Sequence, residues 1–328
     1  MRSSTSPSKE KPRSRRGTIA SAFFVCMAIL YYAGIEWQAR LDDAHVASIE
    51  RRYEDYNEAL DFVKRPDSST RMLVLGNSLL LRGVQFDDVR NSLAPSIDAK
   101  RLVVVNTSYF DWYYTMLRMF REGAKADVVV LVLSPKQFAA CNVREDYFAH
   151  HLMELRDIFA IARDLQLSNT EASSLAFANL SQYYDLRAKI RKKQIKKIFT
   201  DLGPLMAMIT REPPPSLTLI PEQTAVERLR ALRELAVLWN AKFILVIPPS
   251  DGGKGDPNAS VIQAAGLAAD VSVLVPVAPG SFAADHYMDG FHLNKLGAEI
   301  FTPRLIASLQ REMAIYTAQK ESRTASNR

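Results

Sequence analysis

The stretch Met72–Leu80, MLVLGNSLL, places a short apolar run directly before a Gly-Asn-Ser turn. A run that is apolar at every position is typical of a strand buried on both faces, and Gly and Asn are typical of turns. A polar residue just before a new apolar segment also favours the start of a helix. The stretch therefore predicts a buried strand that ends near Gly76 and turns sharply into a helix.

Four more short runs rich in Val, Leu and Ile follow along the chain. They lie at Leu102–Val105, Val128–Leu133, Phe243–Ile247 and Val271–Val277, and helical stretches separate most of them. Parallel strands need crossover connections, which are right-handed almost without exception. We therefore predict an α/β fold with a doubly wound, flavodoxin-like parallel sheet of about five strands.

The N-terminal segment predicts a membrane anchor. Residues 17–35, GTIASAFFVCMAILYYAGI, are 19 consecutive uncharged residues, and a helix of that length reaches roughly 28 Å, close to the thickness of the hydrocarbon core. Six of the first 16 residues are basic and one is acidic, whereas Tyr31, Tyr32 and Trp37 lie at the other end. The positive-inside rule then predicts a single-pass protein whose N-terminus is cytoplasmic and whose chain after Trp37 is exported. A cleaved signal peptide is the alternative, but no convincing small-x-small site precedes Glu36.

Composition and charge exclude several classes of protein. The 328 residues are 48% hydrophobic, as in a folded rather than a disordered chain. Beyond residue 16 the chain carries 36 Lys and Arg against 35 Asp and Glu, so a nucleic-acid partner is not expected. Cys26 and Cys141 do not form a disulfide framework, and the five His lack metal-ligand spacing. We predict no metal and no cofactor.

Five segments are predicted along the chain. They are a basic cytoplasmic tail (1–16), a transmembrane anchor (17–37), a juxtamembrane helical stalk (38–69), an α/β domain (70–316) with a helical insertion at about 140–221, and a polar tail (317–328). Seven basic residues lie between Tyr183 and Thr200 in the insertion. This pattern favours a solvated helix face, with contact to anionic headgroups or an acidic polysaccharide as the alternative.

Polar residues follow the apolar runs, and the predicted topology brings them to one edge of the sheet, where ligands bind. Ser78 follows the first run, and Asp289 and His292 follow the fifth. A serine hydroxyl becomes a nucleophile when an imidazole takes its proton and a carboxylate orients that imidazole. We therefore predict Ser78, His292 and Asp289 as a catalytic triad, with Gly76 allowing the sharp bend before Ser78.

Each of these features also has a structural explanation. Gly-Asn-Ser after a strand is more often a plain turn with a helix cap, and Asp-x-x-His is more often a surface feature. His286, beside Asp285, is a weaker rival base. The Gly-rich stretch Ser250–Asp256 is either a mobile loop or an ordinary connector. One aromatic cluster could line a sugar groove but more often packs the start of a helix: Tyr109, Phe110, Trp112, Tyr113 and Tyr114.

The segments Met72–Leu80 and Asp289–Ala298 resemble the first and last sequence blocks of the SGNH (GDSL-like) hydrolase superfamily. Asn77 stands where that family usually has Asp, and its Gly-x-Asn-Asp block is absent, since Ser134–Phe138 reads SPKQF. The resemblance implies Ser78 as nucleophile, His292 as base, Asp289 as its orienter, and the Ser78 N–H as a donor of the oxyanion hole. Three further residues are candidates for oxyanion or substrate binding: Asn106, Ser108 and Gly76.

The missing blocks make the chain similar to membrane-anchored, extracytoplasmic members of that superfamily, the alginate acetylation proteins and the DltD-like proteins. This likeness implies a serine-dependent esterase or O-acyltransferase. Its substrate would be the acyl groups of a cell-surface polysaccharide, with acetyl as the favoured group. It also implies a membrane-bound O-acyltransferase (MBOAT) as partner. The alternatives are a non-catalytic scaffold of an envelope polysaccharide complex and a sugar-binding module without chemistry.

Overall fold

Five parallel strands form the central sheet of the protein. The computed structural model describes residues 15–49, 56–65, 69–144, 147–198 and 219–326. The strand order is β2-β1-β3-β4-β5, with every neighbouring pair parallel. The strands are β1 (Thr70–Gly76), β2 (Ile97–Val103), β3 (Val128–Val132), β4 (Lys242–Val246) and β5 (Ser272–Leu274).

Helices connect the strands and cover both faces of the sheet. In chain order the α-helices are α1 (Arg15–Ile49), α2 (Tyr56–Lys64), α3 (Ser78–Gly83), α4 (Phe86–Leu93), α5 (Tyr109–Arg121), α6 (Pro135–Ala139), α7 (Ile158–Asp164), α8 (Asn169–Leu180), α9 (Gln182–Ile198), α10 (Glu222–Leu238), α11 (Pro257–Ala269) and α12 (Lys295–Ser326). A π-helical turn covers Phe148–Leu152, and two 3-10 turns cover Leu155–Asp157 and Ala284–His286.

The side chains of the inner strands point alternately to the two faces of the sheet, which explains why both faces are apolar. Leu73 and Leu75 of β1 lie in the core that also contains buried residues of α2, α5, α10 and α11. Met72 and Val74 point to the other side, where α4 and α12 pack. Successive strand residues face opposite sides, so a strand covered on both sides must be apolar at every position. This arrangement confirms the predicted doubly wound α/β fold.

The N-terminal part differs from the predicted division into anchor and stalk. One uninterrupted helix of 35 residues, α1, runs from Arg15 to Ile49. Its stretch Thr18–Leu41 is long and apolar enough to cross a membrane, and none of its most apolar window is buried in the protein. The predicted tail, residues 1–16, lies almost entirely outside the described residues.

The predicted domain start at residue 70 is wrong, because α2 already belongs to the α/β domain. Tyr56, Ala59, Leu60 and Val63 recur at helical spacing along α2, and all four are buried in the core. The charged residues between them produce the stalk-like composition, but they occupy only the outer face of the helix. The domain therefore begins no later than Tyr56.

Other element boundaries also differ from prediction, among them the end of β5, which stops at Leu274 instead of Val277. β2 begins at Ile97, five residues before the predicted Leu102, because it is an edge strand whose Asp98 is exposed and whose Lys100 and Arg101 are half-buried. An apolar run therefore marks only its last part. The predicted polar tail is helical as far as Ser326, since α12 continues to that residue.

The insertion between β3 and β4 is helical where the structure describes it. Phe148 and Leu152 of its π-helical turn are fully buried in the core beside α5. α7, α8 and α9 follow, and residues 199–218 lie outside the described residues. The first part of the insertion is therefore an integral part of the domain.

Candidate active site

Ser78 lies at the point where the strand order reverses. It is the first residue of α3 and follows β1, the strand between β2 and β3. In open parallel sheets the crevice beyond such a point is the usual ligand site. Gly76 makes the tight passage possible, because a Cβ there would lie 2.8 Å from the Leu80 Cβ and 3.2 Å from the Val132 carbonyl oxygen. Gly76 therefore has a steric role, and its predicted part in binding stays a prediction.

Asn77 fixes the turn that carries Ser78. Its side chain is completely buried, and its Oδ1 accepts a hydrogen bond of 3.0 Å from the Leu79 N–H as the N-cap of α3. Its Nδ2 donates to the Thr107 carbonyl oxygen at 2.9 Å. An amide satisfies both partners, whereas a carboxylate has no proton to give the carbonyl. This explains why Asn, rather than the Asp of the GDSL pattern, fits here.

The structure brings the three predicted catalytic residues together across 214 positions of sequence. His292 Nε2 lies 2.8 Å from Ser78 Oγ. His292 Nδ1 lies 2.7 Å from Asp289 Oδ2. Both distances are normal hydrogen-bond lengths, so the hydroxyl, the imidazole and the carboxylate form one continuous hydrogen-bonded chain.

The state of Asp289 determines the tautomer of the ring. Burial on its own would raise the pKa of Asp289, but the hydrogen bonds from the His292 backbone and ring and from the Phe291 backbone lower it to about 2. Asp289 is therefore an acceptor-only carboxylate near neutral pH, and a neutral His292 ring must carry its proton on Nδ1. Nε2 is then left as the acceptor for the Ser78 hydroxyl proton.

The triad lies on an open surface. The side chain of His292 is 19% exposed and that of Asp289 is 50% exposed, and Ser78 is half-buried. A cavity of about 1410 Å³ lies elsewhere, at the opposite end of the sheet where β4 and β5 begin, with Lys242 and Ser272 in its wall. Ser78 is thus accessible from outside and does not line that cavity.

Asp251 ties the Gly-rich stretch after β4 to the segment that carries the triad. Its Oδ1 accepts from the Gly253 N–H at 2.9 Å and from the Tyr287 hydroxyl at 3.0 Å, and its Oδ2 accepts from the Gly280 N–H at 3.0 Å. Sequence reasoning missed this residue. The signal available was an Asp before two glycines, which is typical of a side-chain turn.

Close contact between two loops adds to this support. Gly252 has φ +62°, and a Cβ there would lie 2.8 Å from the Gly290 carbonyl oxygen. Gly290 lies between Asp289 and His292, whose own loop closes through the Met288 N–H bond to the His292 carbonyl oxygen at 2.9 Å. The Gly-rich stretch is therefore a packed support for the triad loop.

Asn106 and Ser108 occupy very different surroundings in the loop between β2 and α5. Asn106 is exposed with φ +58°, a left-handed conformation that Asn tolerates better than most residues. Ser108 is buried, and its hydroxyl donates to the Asn142 carbonyl oxygen at 2.6 Å while its N–H donates to Asp111 at 2.8 Å. The prediction of Ser108 as an oxyanion donor is therefore wrong, because its only hydroxyl proton is used in the loop.

The acid beneath that loop is unusual. Asp111 is fully buried, and burial raises its pKa to about 6 even though hydrogen bonds from Arg144 and Ser108 act in the opposite direction. These bonds join α5, the β2–α5 loop and the start of the insertion. Asp111 therefore organises the loop that contains Asn106 and Thr107.

The geometry argues against two of the alternatives, an exposed aromatic row and His286 as the base. Trp112 and Tyr114 are buried in the core, so the aromatic cluster packs a helix and does not form an exposed sugar-binding row. His286 Nδ1 lies 3.8 Å from Asp285 Oδ1, but it is His292 that meets Ser78. Within the described ranges, no group of three or more His, Cys, Asp and Glu side chains could hold a metal ion.

Comparison with known proteins shows likeness only at the level of structure. No family model matches the chain, and no curated protein matches it. Among solved structures, LAE5, an alpha/beta hydrolase enzyme from the metagenome of Lake Arreo, is 10% identical with a TM-score of 0.38, over 75% of this chain and 96% of that one. The acetyl xylan esterase AlAXEase is 11% identical with a TM-score of 0.38, over 73% and 98%. A GDSL-like lipase from Bacteroides thetaiotaomicron is 11% identical with a TM-score of 0.40, over 79% and 95%. At such low similarity these likenesses carry no argument about chemistry, which rests on the triad itself.

Proposed function

We propose that the protein is a membrane-anchored, serine-dependent esterase or O-acyltransferase of the SGNH type. The observation that carries the proposal is the hydrogen-bonded chain Ser78–His292–Asp289, with distances of 2.8 Å and 2.7 Å. An exposed pair such as Asp289 and His292 adds little to stability. The arrangement does, however, supply a nucleophile, a base and an orienter for acyl transfer.

The geometry supports a two-step reaction. Ser78 Oγ attacks the carbonyl carbon of an ester while His292 Nε2 takes the hydroxyl proton, and the Asp289 carboxylate stabilises the imidazolium that forms. The imidazolium then gives its proton to the leaving alcohol, which leaves an acyl group on Ser78. A water molecule or a sugar hydroxyl then attacks the carbonyl carbon of the acyl-enzyme while Nε2 takes its proton. The imidazolium returns this proton to Ser78 Oγ as the bond between Oγ and the acyl carbon breaks, which releases the acid or the acylated sugar and regenerates Ser78.

Stabilisation of the oxyanion is assigned to groups beside Ser78. The first N–H groups of a helix have no partner within the helix, so the Ser78 N–H at the start of α3 is available as a donor. The exposed Asn106 side chain, in the loop that Asn77 holds through Thr107, is the second donor that we propose. Asn106→Gly keeps the left-handed backbone and removes only the amide, so it tests this role with little strain.

The wider setting supports a substrate attached to the cell envelope. The apolar, outward-facing part of α1 would hold the domain at a bacterial inner membrane, and the basic residues before it would orient the domain toward the periplasm. The open triad suits an acyl group, acetyl in our proposal, on a bulky polysaccharide. A membrane-bound O-acyltransferase (MBOAT) would be the partner that supplies the acyl group.

The test is hydrolysis of p-nitrophenyl acetate by the full-length protein in detergent. Ser78→Ala and His292→Ala should each abolish turnover, and Asp289→Asn should reduce it strongly, because the ring loses its orienting acceptor. His286→Ala is the matched control and should retain activity. Equal background rates in all variants would overturn the catalytic proposal and leave the scaffold alternative.

A further inference from the structure

The end of the membrane helix is bound to the α/β domain by a specific group of hydrogen bonds. The Tyr32 hydroxyl donates to Ser181 Oγ at 2.7 Å, and Ser181 Oγ donates to Glu36 at 2.7 Å. Glu36 also accepts from the backbone N–H groups of Gln182 at 2.9 Å and Tyr183 at 3.2 Å. The carboxylate thus caps the first turn of α9, a favourable place for negative charge.

These contacts fix how deep the junction of α8 and α9 lies. If residues 17–35 cross the membrane, their helix uses roughly 28 Å at about 1.5 Å per residue, which is nearly the whole hydrocarbon core. Glu36 is then at the outer boundary of that core. Ser181, which is hydrogen-bonded to it, must lie at the level of the lipid headgroups.

Exposed apolar side chains lie next to this junction on both α8 and α1. Phe177 and Leu180, one helical turn apart on α8, are 58% and 62% exposed. On α1, Tyr31 and Trp37 are 73% and 68% exposed. Aromatic and apolar side chains at this depth favour the boundary between lipid and water.

α9 begins at that level and is rich in basic residues. Its 17 residues include seven basic ones and a single acid, Asp185. Leu186 is buried in the protein and Arg191 is exposed. The apolar contact with the lipid would come from the exposed side chains of α8 and α1, so α9 itself does not need an apolar stripe.

We propose that the α8–α9 surface, defined as Phe177, Leu180, Arg187 and Arg191, rests on the outer face of the membrane and binds anionic lipid headgroups. The proposal rests on the anchoring by α1 proposed above. Lipid is favoured over an acidic polysaccharide because Glu36 and Tyr32 fix the surface at headgroup level, where basic residues are attracted to anionic lipids. The domain is then held in one orientation against the bilayer.

Depth-dependent fluorescence quenching in nanodiscs tests the proposal on the full-length protein. Cys26 and Cys141 are replaced by Ser, and one cysteine carrying the environment-sensitive dye NBD is introduced at Leu180. Matched labels at Leu267, 87% exposed on α11, and at Val25, 57% exposed within α1, report bulk solvent and the membrane interior. Lipids with a spin label near the headgroup or deep in the chain act as quenchers, in phosphatidylcholine with and without phosphatidylglycerol.

The proposal predicts that the fluorescence of NBD at position 180 is quenched by the spin label near the headgroup and that its emission is shifted to the blue. NBD at position 267 should show neither effect. Phosphatidylglycerol should increase the quenching, and Arg191→Glu with Lys192→Glu should reverse the increase without changing hydrolysis of p-nitrophenyl acetate. If aqueous iodide quenches the dyes at positions 180 and 267 equally, while the dye at position 25 is quenched by the deep lipid label, the headgroup contact is overturned. The anchoring by α1 would still stand.

Two further outcomes would also contradict the proposal. If Val25 itself is not quenched by lipid, anchoring by α1 fails and the headgroup contact fails with it. If the fluorescence of NBD at position 180 is unchanged by the lipid labels but changes when a soluble acidic polysaccharide such as alginate is added, the basic residues of α9 bind polymer instead of membrane. Esterase activity, measured on the same samples, separates each of these results from failure of the triad.

Discussion

Replacing Asn77 tests how the turn before Ser78 is held. The side chain is completely buried and has two partners, the Leu79 N–H at 3.0 Å and the Thr107 carbonyl oxygen at 2.9 Å. Asn77→Ala removes both hydrogen bonds in one step. It leaves a helix without its N-cap and a loop carbonyl without its donor.

The expected loss can be estimated from these two bonds. Loss of an N-cap side chain costs about 1 kcal/mol, and a buried carbonyl left without a donor costs about 1–3 kcal/mol. The unfolding free energy of Asn77→Ala should therefore fall by about 2–4 kcal/mol. For a domain of this size that is a drop in Tm of roughly 4–16 °C.

Asn77→Asp adds a test with the opposite chemistry. The carboxylate keeps an acceptor for Leu79 but turns a second negatively charged oxygen toward the Thr107 carbonyl. Its folded-state pKa should be raised above the unfolded value by burial and by that carbonyl, so the protonated side chain is tolerated best. The variant should therefore approach the wild type in stability at acid pH and lose stability as pH rises.

The assay is thermal unfolding of the full-length protein in detergent, followed by near-ultraviolet circular dichroism. Asn91→Ala, on the exposed face of α4, is the matched control and should change the unfolding free energy by less than about 0.5 kcal/mol. If Asn77→Ala is as stable as Asn91→Ala, or if Asn77→Asp is destabilised equally at every pH, the explanation of why Asn occupies this position is refuted.

Three further predictions concern the same region. Gly76→Ala places a Cβ 2.8 Å from that of Leu80, so it should lower the unfolding free energy by about 1–3 kcal/mol, measured by urea denaturation; unchanged stability would show that the turn relaxes freely. The Asp289 carboxyl, followed by carbon-13 NMR, should titrate near 2, and His292→Ala should raise that pKa toward 3.8, whereas an ordinary pKa in the wild type would contradict the contacts of Asp289. The pKa of Asp111 is about 6 in the folded protein and 3.8 in its ordinary state. Its contribution to the unfolding free energy is therefore full below about pH 4 and is lost as pH rises through 6, a change of about 3 kcal/mol. Asp111→Asn should flatten this part of the profile of stability against pH, and an unchanged slope would refute the raised pKa.

The buried strands of the sheet could be predicted because their environment leaves little choice of residue. β1, β3 and β4 are covered on both faces, so each appears in the sequence as an uninterrupted apolar run. β2 is an edge strand with charged residues in its first half, and the pattern identified only its end. α2 was mistaken for a stalk because its four core residues are diluted by charges on the outer face.

The proximity of Ser78, His292 and Asp289 could be predicted from their residue types and from the edge of the sheet at which they lie, but the contacts that support them could not. Asp251 acts through a turn and through contacts to residues about 30 positions away, which no local pattern reveals. Ser108 was misassigned because a helix cap and an oxyanion donor use the same residue type, and only burial distinguishes them. The docking of Glu36 on α9 joins segments 146 positions apart and was equally invisible.

The most direct test of the central claim is to locate the site of a fluorophosphonate adduct on the full-length protein by mass spectrometry. A fluorophosphonate reacts with a serine whose hydroxyl proton is taken by a neighbouring base, which is the role that the 2.8 Å contact assigns to His292 toward Ser78. The account predicts one adduct on Ser78, absent in Ser78→Ala and strongly reduced in His292→Ala. An adduct on another serine, or none on protein whose fold is intact by circular dichroism, would contradict it.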